Sequence, residues 1–193
     1  MKNLIILLII TICLNGCLTV ENKQYTYKIK PDGSGSASIL FIGISSADED
    51  STDKSLKDYG ELIDDYYNGS KFENEHPEWI NVKKSLKVEN NKLVGEITFD
   101  FNSPEAVGLY RYKEKGNWMY YVGNFGMFNQ EKLDTIDLNS RKEITYGGEK
   151  MPVLFWDEKQ SSITFKTIAT DKERSYKSLL PLYKKIGDKK NRK

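Results

Sequence analysis

The sequence predicts an α+β domain: a largely antiparallel sheet built of hairpins, with one or two helices packed on one face. Three observations predict it. Apolar and polar residues alternate with period two in several runs separated by short turn clusters, one early run instead repeats its apolar positions every three or four residues, and a second such stretch closes the chain. Strands and helices segregated in that order build α+β layers rather than a parallel α/β sheet. No segment repeats at a fixed period. A chain of 193 residues suits a single domain, placed at residues 25–186.

The elements follow in order. Tyr25, Tyr27 and Ile29 alternate with Thr26, Lys28 and Lys30, the pattern of a half-buried strand. Pro31, Asp32, Gly33, Ser34 and Gly35 supply turn chemistry, and residues 36–44 read as a more deeply buried strand, completing an opening hairpin. In residues 51–69 the positions Leu56, Tyr59, Leu62, Ile63 and Tyr66 form one helical stripe, with Ser51, Thr52 or Asp53 as N-cap and Gly69 as the stop. Gly60 weakens that helix by roughly 1 kcal/mol relative to alanine. Residues 80–88 and 92–101 flank Glu89, Asn90 and Asn91; residues 109–113 and 117–122 flank Glu114, Lys115 and Gly116; residues 151–156 and 162–168 flank Asp157, Glu158, Lys159 and Gln160. Each reads as a hairpin. Residues 123–148 are less regular, with only a weak helical or strand pattern, and are a candidate for long loops. Residues 172–186 are expected to be helical around Leu179, Leu182, Tyr183 and Ile186, with Pro181 marking a break or a late start. Residues 187–193 form a basic tail.

The first residues read as an export signal. Lys2 precedes an apolar run at residues 4–14, which is too short to span a bilayer because a spanning helix needs about 20 residues. The run ends in Leu14, Asn15, Gly16 and Cys17. This motif resembles the lipobox of bacterial lipoproteins, with Asn15 standing where the family more often has a small or β-branched residue. The resemblance implies that residues 1–16 are cleaved as a signal, that Cys17 is the lipid attachment site, and that the protein is held on the membrane through it. Residues 17–24 are then a lipidated tether. Two or three acyl chains, at about 0.8 kcal/mol per buried methylene, hold a protein stably where one does so marginally. Leu18 follows Cys17 instead of the Asp that retains many such lipoproteins at the inner membrane, which implies the outer membrane if the source has two. The opening hairpin with Asp32, Gly33, Ser34 and Gly35 resembles the start of the LppM-type lipoprotein domain over some twenty-five residues, and that resemblance implies the fold class alone.

Composition narrows the function. The chain has 29 basic and 28 acidic residues, and removing the signal takes Lys2, so the mature side chains balance. A neutral domain has no field to steer nucleic acid, and none is expected as a partner. Cys13 leaves with the signal, Cys17 is the anchor, and His76 is the one histidine, so a zinc site of imidazole and thiolate ligands is not expected. No cofactor is expected.

Five features of the sequence could carry chemistry. Gly33, Ser34, Gly35 and Ser36 lack nucleophile-elbow and phosphate-loop spacing and read as a turn. His76, followed by Pro77, reads as a loop histidine. Asp48, Glu49, Asp50, Asp53, Asp58, Glu61, Asp64 and Asp65 concentrate acid around a helix start without an EF-hand pattern, and read as a solvated face over a weak cation site. Trp118, Tyr120, Tyr121, Phe125 and Phe128, with Phe155 and Trp156, are core first and a protein or glycan face second. Residues 184–193 hold six basic residues and one acid, which reads as a solvated tail before a lipid-headgroup contact. The expected function is that of a membrane-anchored envelope lipoprotein serving as a non-enzymatic binding or assembly component. An envelope hydrolase using paired carboxylates, or a small-ligand or lipid carrier, is the alternative.

Overall fold

A computed structural model describes residues 18–47, 53–113, 116–121, 132–136, 144–146, 149–151, 153–169 and 175–190. The expected signal at residues 1–16, Cys17, the acids Asp48, Glu49 and Asp50, and Phe125 and Phe128 lie outside the described residues. The architecture is sheet-rich and antiparallel with three short α-helices, an α+β arrangement.

The chain enters as strand at once. β1 (Leu18–Thr19) and β2 (Asn22–Ile29) occupy the stretch expected to be a tether. Val20 between them is buried, and that apolar side chain recruits the segment into the domain. β2 forms the opening hairpin with β3 (Gly35–Ile42). Its turn is closed by Gly33 N–H donating to the Lys30 carbonyl at 3.0 Å and Lys30 N–H to the Ser34 carbonyl at 2.8 Å. Gly33 sits at φ +86°, the left-handed region. Asp32 Oδ1 accepts from the Ser34 hydroxyl at 2.7 Å and the Ser34 N–H at 3.0 Å, and those bonds hold its carboxyl below the usual range. Gly35 is a packing requirement: a Cβ there would stand 2.2 Å from the Lys28 carbonyl oxygen and 2.4 Å from the Phe101 ring.

β4 (Ser45–Ala47) follows, and then α1 (Ser55–Glu61), which runs on as a π-helical turn at Leu62–Tyr67. Asp53 Oδ1 accepts from the Ser55 N–H at 3.0 Å and its hydroxyl at 2.6 Å just before the helix, whose N-cap position is Lys54 and not one of the expected residues. The expected stripe is only partly right. Tyr59 and Leu62 are buried, but Leu56 is 68% exposed and Asp58 takes the inward position. Gly69 does end the segment, because a Cβ there would meet the Asp64 and Asp65 carbonyls at 2.6 and 2.5 Å. Gly60 has open space on all sides. Gly60→Ala is therefore expected to stabilise the domain by about 0.5–1 kcal/mol in urea unfolding, through a less flexible unfolded chain.

α2 (Lys71–Glu75) leads to β5 (Ile80–Glu89) and β6 (Lys92–Phe101). Asn90 and Asn91, at φ +49° and +58°, make the tight turn between those two strands, the backbone a primed hairpin turn demands. A 3₁₀ turn at Pro104–Val107 precedes β7 (Leu109–Tyr110), which pairs with β8 (Trp118–Tyr121) as expected. The expected long loops at 123–148 contain strands: β9 (Lys132–Ile136) and β10 (Ile144–Tyr146), the latter paired with β11 (Glu149–Met151). β12 (Val153–Trp156) and β13 (Ser162–Ile168) do not form the expected hairpin. β12 joins β8, whereas β13 pairs with β2 and β9. The link between them turns through Asp157, whose Oδ1 accepts from Lys159 N–H at 2.9 Å and whose carbonyl accepts from Gln160 N–H at 3.0 Å. That turn lets Trp156 and Phe165 meet across the core at 5.8 Å from two different sheets. β14 (Tyr176–Ser178) pairs with β4, and α3 (Leu180–Lys190) starts late, with Pro181 in the first turn where its missing N–H costs nothing.

The main sheet has the order β5-β6-β3-β2-β13-β9. Its inner face carries Tyr25, Tyr27, Ile39, Ile97, Phe99 and Phe165, packed with Trp118, Leu154 and Trp156 from the β12-β8-β7 sheet. A second cluster at the other end joins Val20, Ile44 and Leu93 to Tyr59, Leu62, Leu179 and Leu180. The β1-β4-β14 sheet flanks that end.

Candidate functional site

A cleft of about 780 Å³ opens over the inner face of the main sheet, within the size range of small-molecule sites. Its floor is set by register. Tyr25 opposes Ile39, Ile39 opposes Ile97, and Ile97 opposes Lys84, so one row of inward positions crosses four strands. Gly95, opposite Phe41 and Leu86, keeps the next row low. One wall is aromatic: Phe72 of α2 lies 5.6 Å from Phe41 and 5.0 Å from Tyr66 of the π-helical turn. On the other side Tyr120 of β8 stands 6.3 Å from Tyr25 and 6.4 Å from Tyr27. Leu18, Val20 and Leu86 close one end.

Two groups fix the wall. Lys84, only 13% exposed, donates to the Gly69 carbonyl at 2.6 Å and to both Glu73 oxygens at 2.8 and 3.0 Å. All three of its N–H donors have acceptors, so it ties strand β5 to the turn before α2. Burial works against the Glu73 charge, but the Lys84 hydrogen bond, a backbone hydrogen bond and the Lys84 charge together keep the carboxyl below its ordinary range. Lys71 lies 2.6 Å from Glu61 and 4.2 Å over the Tyr66 ring. Burial works against its charge as well, yet the hydrogen bonds with Glu61 and Tyr66 raise its pKa above the usual value.

Trp79 is a pillar. His76 stacks on one face at 3.8 Å and 8°, Phe99 on the other at 3.8 Å and 9°, and its indole N–H donates to the Ala106 carbonyl at 3.1 Å. With both faces covered, Trp79 cannot stack a sugar ring. His76 Nδ1 also stands 3.5 Å from Glu78. Of the carboxylates on the lining, Glu75, Glu78 and Glu105 are exposed at the rim, and Glu96 is half-buried with its Oε1 accepting from the Ser38 hydroxyl at 2.9 Å.

The features singled out from sequence are separated by the fold. Ser34 is bonded to Asp32 in the hairpin turn and does not line the cleft that His76 borders. The acidic run disperses: Asp53 pairs with Lys177, Asp58 is buried against Ser46, and Glu61 pairs with Lys71. Hydrogen bonds from Lys177 and Ser55 push the Asp53 carboxyl far below its usual range. Among the described residues no group of three or more His, Cys, Asp or Glu side chains is arranged to hold a metal. The aromatic cluster divides, with Trp118 and Trp156 in the core and Tyr120 and Tyr121 on the cleft. Sequence reasoning missed Phe41, Phe72, Trp79 and Lys84, and placed Tyr66 on the helical stripe only. One signal was present: Lys84 shares the inward parity of Val82 and Leu86 on β5. Among the described residues no helix is long and apolar enough to cross a membrane. The chain matches no protein-family model, no curated protein and no solved structure.

Proposed function

We propose that the chain is a lipid-anchored protein of the bacterial envelope, attached through Cys17, whose domain is a non-enzymatic binding component that seats a small, largely apolar ligand in the aromatic cleft. One observation carries the binding reading: an open volume of about 780 Å³ over Tyr25, Ile39 and Ile97, bordered by Lys84, with aromatic walls held in place by Lys84 and Lys71. The anchor reading rests on the lipobox at Leu14, Asn15, Gly16 and Cys17. Because strand begins at Leu18, the domain sits directly at its attachment point, with the Leu18 end of the cleft nearest the membrane. In a source with two membranes the location is the outer one.

The hydrolase reading is less well supported. A glycosidase needs a carboxylic acid taken out of water beside a second carboxylate; Glu75, Glu78 and Glu105 stand in solvent, and the half-buried Glu96 is hydrogen-bonded to Ser38 on the neighbouring strand.

The test has two arms. Cells fed a fatty-acid analogue are expected to label the wild-type protein and leave Cys17→Ser unlabelled and released from the membrane fraction; equal labelling of both would sink the anchor. For the cleft, an anilinonaphthalene sulfonate probe is expected to bind saturably to the folded protein. Ala106→Trp, which fills the cleft from its lining, is expected to abolish that signal while the thermal unfolding transition persists. Undiminished probe binding to this folded variant would remove the cleft as the site.

A further inference from the structure

The end of the domain nearest Cys17 carries a second feature, on α3. The helix buries Leu180 and partly buries Leu182 and Tyr183 against the cluster of Val20, Ile44 and Leu93, which Leu18 also joins. The Tyr183 hydroxyl donates to the Leu86 carbonyl at 3.2 Å, pinning the helix over β5. Its other side exposes Lys184, Lys185 and Ile186, the last 41% exposed. Neighbouring lysines are already matched to carboxylates: Lys92 with Glu21, Lys177 with Asp53 and Lys87 with Glu89. Among the described residues Lys184 and Lys185 have no ion-pair partner. The sequence continues with Lys189, Lys190, Arg192 and Lys193 against a single acid, Asp188. The helix is also close to the attachment point. Leu18, Ser46 and Lys177 share one register across β1, β4 and β14, which places Leu18 and Lys177 about 10 Å apart, and α3 begins just after β14.

We propose that the exposed face of α3 docks on anionic lipid headgroups beside the anchor, its lysines against the phosphates and Ile186 entering the interface. The inference rests on the anchor reading for its setting, since lipid at Cys17 brings this end of the domain up to the bilayer, where a charged surface acts over roughly 10 Å. Acyl chains supply the retention. The helix supplies orientation: an anchor at one point leaves the domain free to swing, and a second contact fixes the end of the cleft lined by Leu18 and Val20 toward the bilayer.

A polarity-sensitive fluorophore on Ile186→Cys tests this, in the processed protein inserted into vesicles of zwitterionic lipid alone or mixed with an anionic lipid. The expected result is a blue-shifted emission on the anionic vesicles only, reversed by salt and by the combined change of Lys184, Lys185, Lys189 and Lys190 to glutamine. The same four changes in a Cys17→Ser background are expected to lower binding to anionic vesicles roughly tenfold or more. Equal emission on both vesicle types, or indifference to the glutamine changes, overturns the proposal. A shift seen only with envelope extract, and on neither vesicle, also overturns it and assigns the face to a protein partner. The two readings fail separately. Fatty-acid labelling with a silent fluorophore retains the anchor and removes α3, whereas a responsive fluorophore on unlabelled protein does the reverse.

Discussion

Phe165→Ala is expected to lower stability by about 3–5 kcal/mol in urea unfolding, the cost of emptying a fully enclosed aromatic site. Phe165 is 1% exposed and stacks on Tyr25 at 4.8 Å and 16°. It also meets Tyr120 of the smaller sheet at 4.6 Å and Trp156 at 5.8 Å. The ring therefore joins the main sheet to the β12-β8-β7 sheet, and no other strand pairing links them among the described residues. Against a usual total of about 5–15 kcal/mol, the loss is a large share. Tyr25 and Tyr120 also flank the cleft, so the alanine variant is expected to bind the sulfonate probe more weakly even where it remains folded. Phe165→Leu, closer in volume, is expected to cost under about 1.5 kcal/mol. An alanine variant losing less than about 1 kcal/mol would show that the two sheets hold together without this contact.

Asp58→Ala is the second large effect, expected at about 2–3 kcal/mol. Asp58 is 1% exposed and its Oδ2 accepts the Ser46 hydroxyl, itself wholly buried at the centre of the β1-β4-β14 sheet. Removing the acceptor leaves that hydroxyl buried without a partner, which costs more than the bond contributes when made. Asp58→Asn keeps an acceptor oxygen at the same place and is expected to cost under about 1 kcal/mol. In the double variant Ser46→Ala with Asp58→Ala, both polar groups are gone, and part of the lost stability is expected to return. A double-mutant cycle by urea unfolding measures this. Strict additivity of the two alanine changes would show that the pair does not couple.

The same residue shows where the sequence was legible. Hairpins at Asp32 and Gly33, and at Asn90 and Asn91, could be read directly because their turn geometry is encoded by adjacent residues. The period-two faces of β2 and β6 were equally plain, since alternation records which side is buried. The helix stripe was misread at Leu56 and Asp58. The passage into a π-helical turn at Leu62 changes the angular step, and the partner that makes burial of Asp58 acceptable, Ser46, lies on another strand. Val20 was too isolated among polar neighbours to announce a strand, yet a single buried side chain and the pairing of Leu18 with Ser46 and Thr19 with Ser45 suffice to make one.

By itself, the sequence determined the antiparallel character of the chain, its principal turns, the near balance of its 29 basic and 28 acidic residues and the Leu14, Asn15, Gly16 and Cys17 motif before Leu18. All of these are written in neighbouring residues. Only the tertiary structure decided that β13 lies beside β2 while β12 joins β8, that Trp79 is enclosed between His76 and Phe99, and that side chains from Val20 to Tyr120 surround one cleft. Those outcomes depend on which apolar faces meet. Burial energy is nondirectional, so a strand's own residues state that it must be covered but not by what.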